Sequence, residues 1–246
     1  MKCNYNMKKN VTYKEKFTKL FLSIASKYGK MAVWNDFIVM YACFTSSVLD
    51  RRFYEKRQKM YHDIAKRYTK EETNAMRQMY NLLSWALTEY PDRDFLGEIY
   101  AEFCLNDRTG GQVFTPSNVA SLMADFNLES ISENDDEQDT VVIQDPCCGS
   151  GALLIAFVNE ALKANINYQT KNDFIAQDRD YIAALMCYIQ LSLHGCRAIV
   201  KVGDYNTQPF VDEDMNSEDV WLTPMYIDGD FIRLAYIAHE AGYFEN

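Results

Sequence analysis

The chain has 246 residues, 48% of them hydrophobic and 24% charged, a balance that excludes disordered, collagen-like and low-complexity classes and suffices for one large domain or a medium domain with a smaller companion. Seven cysteines without framework spacing, and without C-x-x-C pairs matched by histidines, exclude a disulfide scaffold and a structural zinc, so a reducing, cytoplasmic compartment fits. The net charge of −10 hides an asymmetry: residues 1–100 hold 18 basic against 11 acidic side chains, a balance of +7, while the other 146 residues carry −17.

From Tyr13 to Glu89 apolar residues recur at spacings of three and four, as at Phe17, Leu20, Phe21 and Ile24, and no proline occurs before Pro91. This predicts a helical N-terminal domain over residues 1–106. Its richest apolar window, Met31 to Leu49, is interrupted by Asn35 and Asp36, which argues against a membrane span. Arg51, Arg52, Lys56, Arg57, Lys59, Lys66, Arg67 and Lys70 form a basic stretch suited either to a phosphate backbone or to a solvated helix face. A short helix is expected from Asp94 to Phe103, and a boundary near residue 107, in the turn-rich Asn106–Gly111. Thr115-Pro116 is a helix start, Val119 to Phe126 the helix it opens, and the acidic Glu133–Asp139 a surface loop.

A regular alternation follows. Strand Val141–Gln144, a glycine turn, helix Ala152–Ala164, strand Phe174–Gln177, helix Asp180–Leu193 and strand Ala198–Val202 make a βαβαβ series, which calls for a parallel sheet with right-handed crossovers and a ligand at its carboxyl ends. Asp145-Pro-Cys-Cys-Gly-Ser-Gly151 lies directly after the first strand, where Gly149 and Gly151 allow a tight turn and a close approach to a ligand. Asp178 ends the second strand, at a spacing suited to a carboxylate that accepts both ribose hydroxyls of a nucleoside. Gly203-Asp204 ends the third, where a side chain can meet an adenine amino group. Each acid alone reads as a strand-end or capping residue; three in series point to a nucleoside site.

With these residues in place, the sequence resembles the modification subunit of type I restriction-modification systems, an N6-adenine DNA methyltransferase, over about residues 94 to 226. The resemblance is carried by the helical Asp94-Phe-Leu-Gly-Glu-Ile-Tyr segment, by Gly111-Gln-Val-Phe-Thr-Pro116, by Asp145 to Gly151, by Ala176-Gln177-Asp178, by Leu193-His194-Gly195 and by Gly203-Asp204. It implies a Rossmann-like class I α/β sheet that binds S-adenosylmethionine (SAM) over residues 107–246. In that family Thr115 and Pro116 would contact the methionine part, Asp145 with Gly149, Ser150 and Gly151 the amino-acid end, Asp178 the ribose and Asp204 the adenine amine. The partners implied are DNA and a separate specificity subunit that reads the target.

The family's Asn-Pro-Pro-Tyr/Phe motif is absent; the nearest equivalent is Thr223-Pro-Met-Tyr226, after the strand-like Asp219–Leu222. In the family an Asn carboxamide oxygen and a Pro carbonyl accept the two N–H groups of adenine N6 and draw that nitrogen towards tetrahedral geometry. Thr223 offers only a hydroxyl, a loss of about 3 kcal/mol or on the order of a hundredfold in rate. Thr223, Pro224 and Tyr226 are the expected base-facing residues, with Tyr226 as a stacking ring. The reading is therefore a SAM-dependent adenine methyltransferase, with a catalytically impaired SAM- and DNA-binding module acting through a partner as the alternative. The sheet is expected to be short of its far strands, with one more helix at Phe231–Ala241. His194 reads as a helix cap, Cys147 and Cys148 as small loop residues, and Tyr181 and Tyr188 as packing.

Overall fold

The computed structural model describes residues 3–104 and 140–229, with side chains from residues 13 to 103 in the first segment. Five helices come first: α1 (Cys3–Tyr28), α2 (Lys30–Ser47), α3 (Tyr54–Ala65), α4 (Lys70–Glu89) and α5 (Phe95–Cys104). The second segment runs β1 (Val141–Asp145), α6 (Ala152–Lys163), α7 (Tyr168–Lys171), β2 (Asn172–Asp178), α8 (Tyr181–Leu193), β3 (Arg197–Val202), a 3-10 turn (Asp212–Asn216), β4 (Val220–Leu222) and α9 (Pro224–Ile227). The expected helices Val119–Phe126 and Phe231–Ala241, the acidic loop, Thr115-Pro116 and the boundary at 107 lie outside the described residues.

Local chemistry accounts for the helix starts. At α4, Thr69 Oγ1 accepts the Glu72 amide at 3.2 Å while the Glu72 carboxylate accepts the Thr69 amide at 2.8 Å, so two otherwise orphaned donors are met reciprocally. Met76, Met79, Leu83 and Leu87 then recur on one face and are buried. The helix α8 is capped by Asp180, whose carboxylate accepts the Ala183 amide at 2.9 Å. Unlike α4, both α2 and α8 are buried nearly all round, from Phe37 to Cys43 in one and from Ala183 to Leu191 in the other. Each lies between two layers, which explains why neither shows an amphipathic stripe.

The sheet has strand order β1-β2-β3-β4. β1, β2 and β3 are parallel, with Asp145 level with Ala176 and Asp178 level with Val202. Sequential order with right-handed crossovers places α6 and α8 on the same face, and α2 packs on α8 from beyond. A single hydrophobic cluster runs from Phe17 through Trp34, Phe95 and Leu185 to Phe174 and Trp221, so the helical segment and the sheet layer share one core. A smaller cluster, Ile199, Val220 and Leu222 with Ile175, Phe210, Met215 and Tyr226, gathers about β4. That strand runs antiparallel to β3, with Val220 level with Lys201 and Leu222 level with Ile199.

The antiparallel edge is fastened by the helical layer. Arg57, buried at the start of α3, pairs with Asp50 at 2.6 Å, donates to the Val220 carbonyl at 3.1 Å and lies 3.9 Å above the Trp221 ring. Arg52 also pairs with Asp50, at 2.7 Å, and donates to the Val220 carbonyl at 3.2 Å and to that of Met215. Burial works against the Asp50 charge, but the two guanidinium groups prevail and hold its carboxyl below the usual carboxylate range. Among the described residues no helix is long and apolar enough to cross a membrane; Met31–Leu49 is largely the buried α2.

Candidate functional site

Asp145, Asp178 and the Gly203-Asp204 pair stand side by side at the carboxyl ends of β1, β2 and β3, because those strands are parallel and in sequence order. The loop Asp145–Gly151 is tied to the end of β2 by its own backbone. The Cys148 amide donates to the Gln177 carbonyl at 2.9 Å and the Gly149 amide to the Asp178 carboxylate at 2.8 Å, while the Gly151 amide closes the turn on the Cys148 carbonyl at 2.7 Å. Gly151 is left-handed, with φ of 96°, where a side chain would be strained, and a Cβ there would meet Cys187 Sγ at 3.0 Å.

The three acids differ in what they still have to offer. Asp145 is buried; Oδ1 accepts the Cys147 amide at 3.1 Å and Oδ2 has no partner. Burial pushes its carboxyl above the usual range, the Cys147 hydrogen bond opposes this, and the nearby Asp178 charge adds to it. Asp178 accepts one amide on each oxygen, from Gly149 and from Asp180, both at 2.8 Å, leaving further lone pairs for hydroxyl donors. Asp204 accepts the Asn206 amide at 2.9 Å and opens the loop that follows β3. A buried carboxylate oxygen lacking a donor, beside a second carboxylate and exposed loop backbone, fits the ammonium and ribose hydroxyls of an amino-acid-bearing nucleoside.

Ser150 behaves otherwise. Its side chain is fully buried and its hydroxyl donates to Asp94, so only its backbone faces the loop. Asp94 also accepts the Gly97 amide at 2.9 Å and the Gln190 side-chain amide at 2.8 Å, and Gln190 donates to the Ser150 carbonyl at 2.9 Å and accepts the Leu96 amide at 3.1 Å. Asp94 and Gln190 thus hold the loop to α5 and α8. A Cβ on Gly97 would collide with both Asp94 and Ser150. Gln190, the one side-chain amide in the apolar α8, is the available sequence signal. Gln177 is a second positioning residue missed: it is buried, donates to the Gly203 and Gln208 carbonyls at 3.1 and 2.8 Å and accepts the Phe210 amide at 3.0 Å, which sets where Asp204 stands.

The structure does not bring Thr223, Pro224 or Tyr226 to this loop. Thr223 is fully buried at the opposite, amino end of β3; its hydroxyl donates to the Cys196 carbonyl at 2.7 Å and accepts the Ala198 amide at 2.9 Å. From Ala198 to Gly203 is roughly 16 Å of extended strand. Pro224 is buried at the start of α9, and Tyr226 packs in the β4 cluster near Asp173 and Arg197. The physical reason is the antiparallel pairing of β4, fixed by Arg52 and Arg57.

The basic stretch is also largely engaged within the molecule. Besides Arg52 and Arg57, Lys56 pairs with Glu218, Arg67 with Asp36 at 3.0 Å and Lys66 with Asp63 at 3.1 Å. Cys148 is buried, and its contact with Cys187 together with burial pushes its thiol well up, so it stays protonated and unreactive. Among the described residues no group of acidic, histidine and cysteine side chains is arranged to hold a metal.

Residues 91–229, more than half of the chain, match the N-6 DNA methylase family. A type I restriction enzyme methylase subunit of Methanocaldococcus jannaschii is 31% identical over 150 residues, 58% of this chain and 24% of that protein. A type II restriction enzyme and methyltransferase of Heyndrickxia coagulans is 36% identical over 94 residues, 37% of this chain and 13% of that protein. The chain thus spans about a quarter or less of the length of these curated relatives. A solved structure described as a class I SAM-dependent methyltransferase from Listeria monocytogenes aligns with 88% of this chain and 68% of its own at 15% identity and a TM-score of 0.40, too weak a likeness to bear on function. The family match covers the glycine loop, all three strand-end acids and the Asp94 network that supports them, and by it the chain belongs to the N-6 DNA methylase family.

Proposed function

We propose that the chain is a SAM-binding part of a DNA adenine-N6 methyltransferase of restriction-modification type, acting on DNA together with a further subunit that reads the target. The family sets the cofactor: SAM supplies an electrophilic methyl group when bound. Asp145 accepts its ammonium, the Gly149, Ser150 and Gly151 backbone lines its amino-acid end, Asp178 accepts the ribose hydroxyls and Asp204 the adenine amine. Thr115 and Pro116 complete the methionine end. The observation that carries this reading is the buried Asp145 Oδ2 without a donor at the mouth of the glycine loop. A reducing cytoplasm goes with it, supported by free cysteines at 43, 147, 148, 187 and 196.

A second reading rests on the place of Thr223. With its hydroxyl engaged at the far end of β3, it is not available to accept the N–H groups of a flipped adenine. The chain would then hold the cofactor while a partner supplies the base-facing groups. Calorimetry with SAM tests the shared part: heat is expected in the native chain, and none at millimolar ligand would overturn both readings. Transfer of tritium from labelled SAM to mixed-sequence DNA separates them. Label in the isolated chain supports the complete enzyme; label only after a partner subunit is added supports the second.

A further inference from the structure

Away from the strand ends, a groove of about 390 Å³ opens between α2, α3 and α4, in the size range of small-molecule sites. Its walls are aromatic. Tyr41 and Tyr80 stack at 4.5 Å with their planes 13° apart, Phe44 stands edge-on to Tyr80 at 5.8 Å, and Tyr61 faces them from α3. The Tyr80 hydroxyl is hydrogen-bonded to Thr45 Oγ1 at 2.9 Å, so the rings are a rigid platform, yet Phe44 remains 45% exposed.

The rim is polar and carries no carboxylate: Asn74, Arg77 and Asn81 from α4. Arg77 donates to the neutral Asn74 Oδ1 at 2.7 Å and has no ion-pair partner among the described residues. It shares this with Arg51 and Arg179 and differs from Arg52, Arg57, Arg67, Arg93 and Arg197, each matched to an acid. Trp85, 56% exposed, lies about two turns beyond Arg77 on α4.

We propose that this groove binds one unpaired nucleotide of a DNA strand, its base against Phe44 and Tyr61, its phosphate on Arg77 and its base edge at the Asn74 and Asn81 amides. Rings in series with an unmatched guanidinium are the chemistry by which proteins hold single strands, because every base has a face to stack and every nucleotide a phosphate. An acidic peptide would call for more than one cation, whereas a single nucleotide brings one phosphate to the one arginine of the rim. The choice of DNA as the source of the nucleotide rests on the function proposed above; the groove itself does not involve the glycine loop.

The test is fluorescence anisotropy of a labelled oligothymidylate of about 12 nucleotides with the full chain, competed by unlabelled duplex. Phe44→Ala and Arg77→Ala are each expected to weaken binding about tenfold, and Arg77→Ala to lower the slope of log affinity against log salt by about 0.7. Neither side chain is buried, so a retained fold by circular dichroism and unchanged SAM binding should accompany the loss. No binding of the oligonucleotide, variants that bind as tightly as the native chain, or duplex competing as well as single strand would overturn the proposal. If SAM fails to bind while the oligonucleotide result holds, the enzymatic reading falls and the groove stands. The reverse result removes the groove alone.

Discussion

Asp178 sits where the end of β2, the glycine loop and the start of α8 converge, its two oxygens each taking one backbone amide. Replacing it with alanine removes the proposed ribose acceptor and the tether on Gly149 together, and SAM binding measured by calorimetry should disappear while the fold, followed by circular dichroism, persists. Thr223→Asn tests the other end of the sheet. In a fully buried site with two hydrogen bonds, the larger amide should lower stability by about 2 kcal/mol in urea titration and leave methyl transfer no higher than in the native chain. A gain in transfer would mean that the residue reaches the base. His194, whose Nε2 is buried without a partner, is held neutral: burial lowers its pKa from 6.5 to about 4. Since the unfolded chain takes up that proton first, stability is full above pH 6.5 and falls as the pH drops towards 4, by up to about 3 kcal/mol. Denaturation midpoints across this window should fall less steeply in His194→Gln.

The secondary structure of the βαβαβ unit was legible in the sequence because each strand is short, apolar and ended by glycine or aspartate, and the structure extends the three expected strands by one, three and one residues. The strand-end acids followed from that alternation alone. The partner of β4 did not, since three residues with every side chain buried carry no alternation that specifies direction. Nor did the burial of Arg57, which in sequence is one more member of a basic run and acquires its role only from a carbonyl 163 residues away. Capping, by contrast, is local and readable. The Thr69/Glu72 box at α4 should be worth about 1 kcal/mol, measured as the loss of stability in Thr69→Ala, and the groove floor on that helix should loosen with it.

One core joins helical layer and sheet, so the described molecule should unfold in a single transition, with calorimetric and van't Hoff enthalpies that agree. Arg57→Ala should cost about 3 kcal/mol, because Asp50 keeps only the Arg52 partner and Trp221 loses the cation over its face. The same clamp bears on how the chain reaches its native state. Arg57 is made before the carbonyl it requires, which emerges from the ribosome only after another 163 residues. Until then a nascent chain carries a guanidinium and an aspartate on a surface meant to be covered. The helical layer should therefore remain loosely packed during synthesis, and closure of the far strand should be a late, rate-limiting event, as expected of contacts with long loops to close.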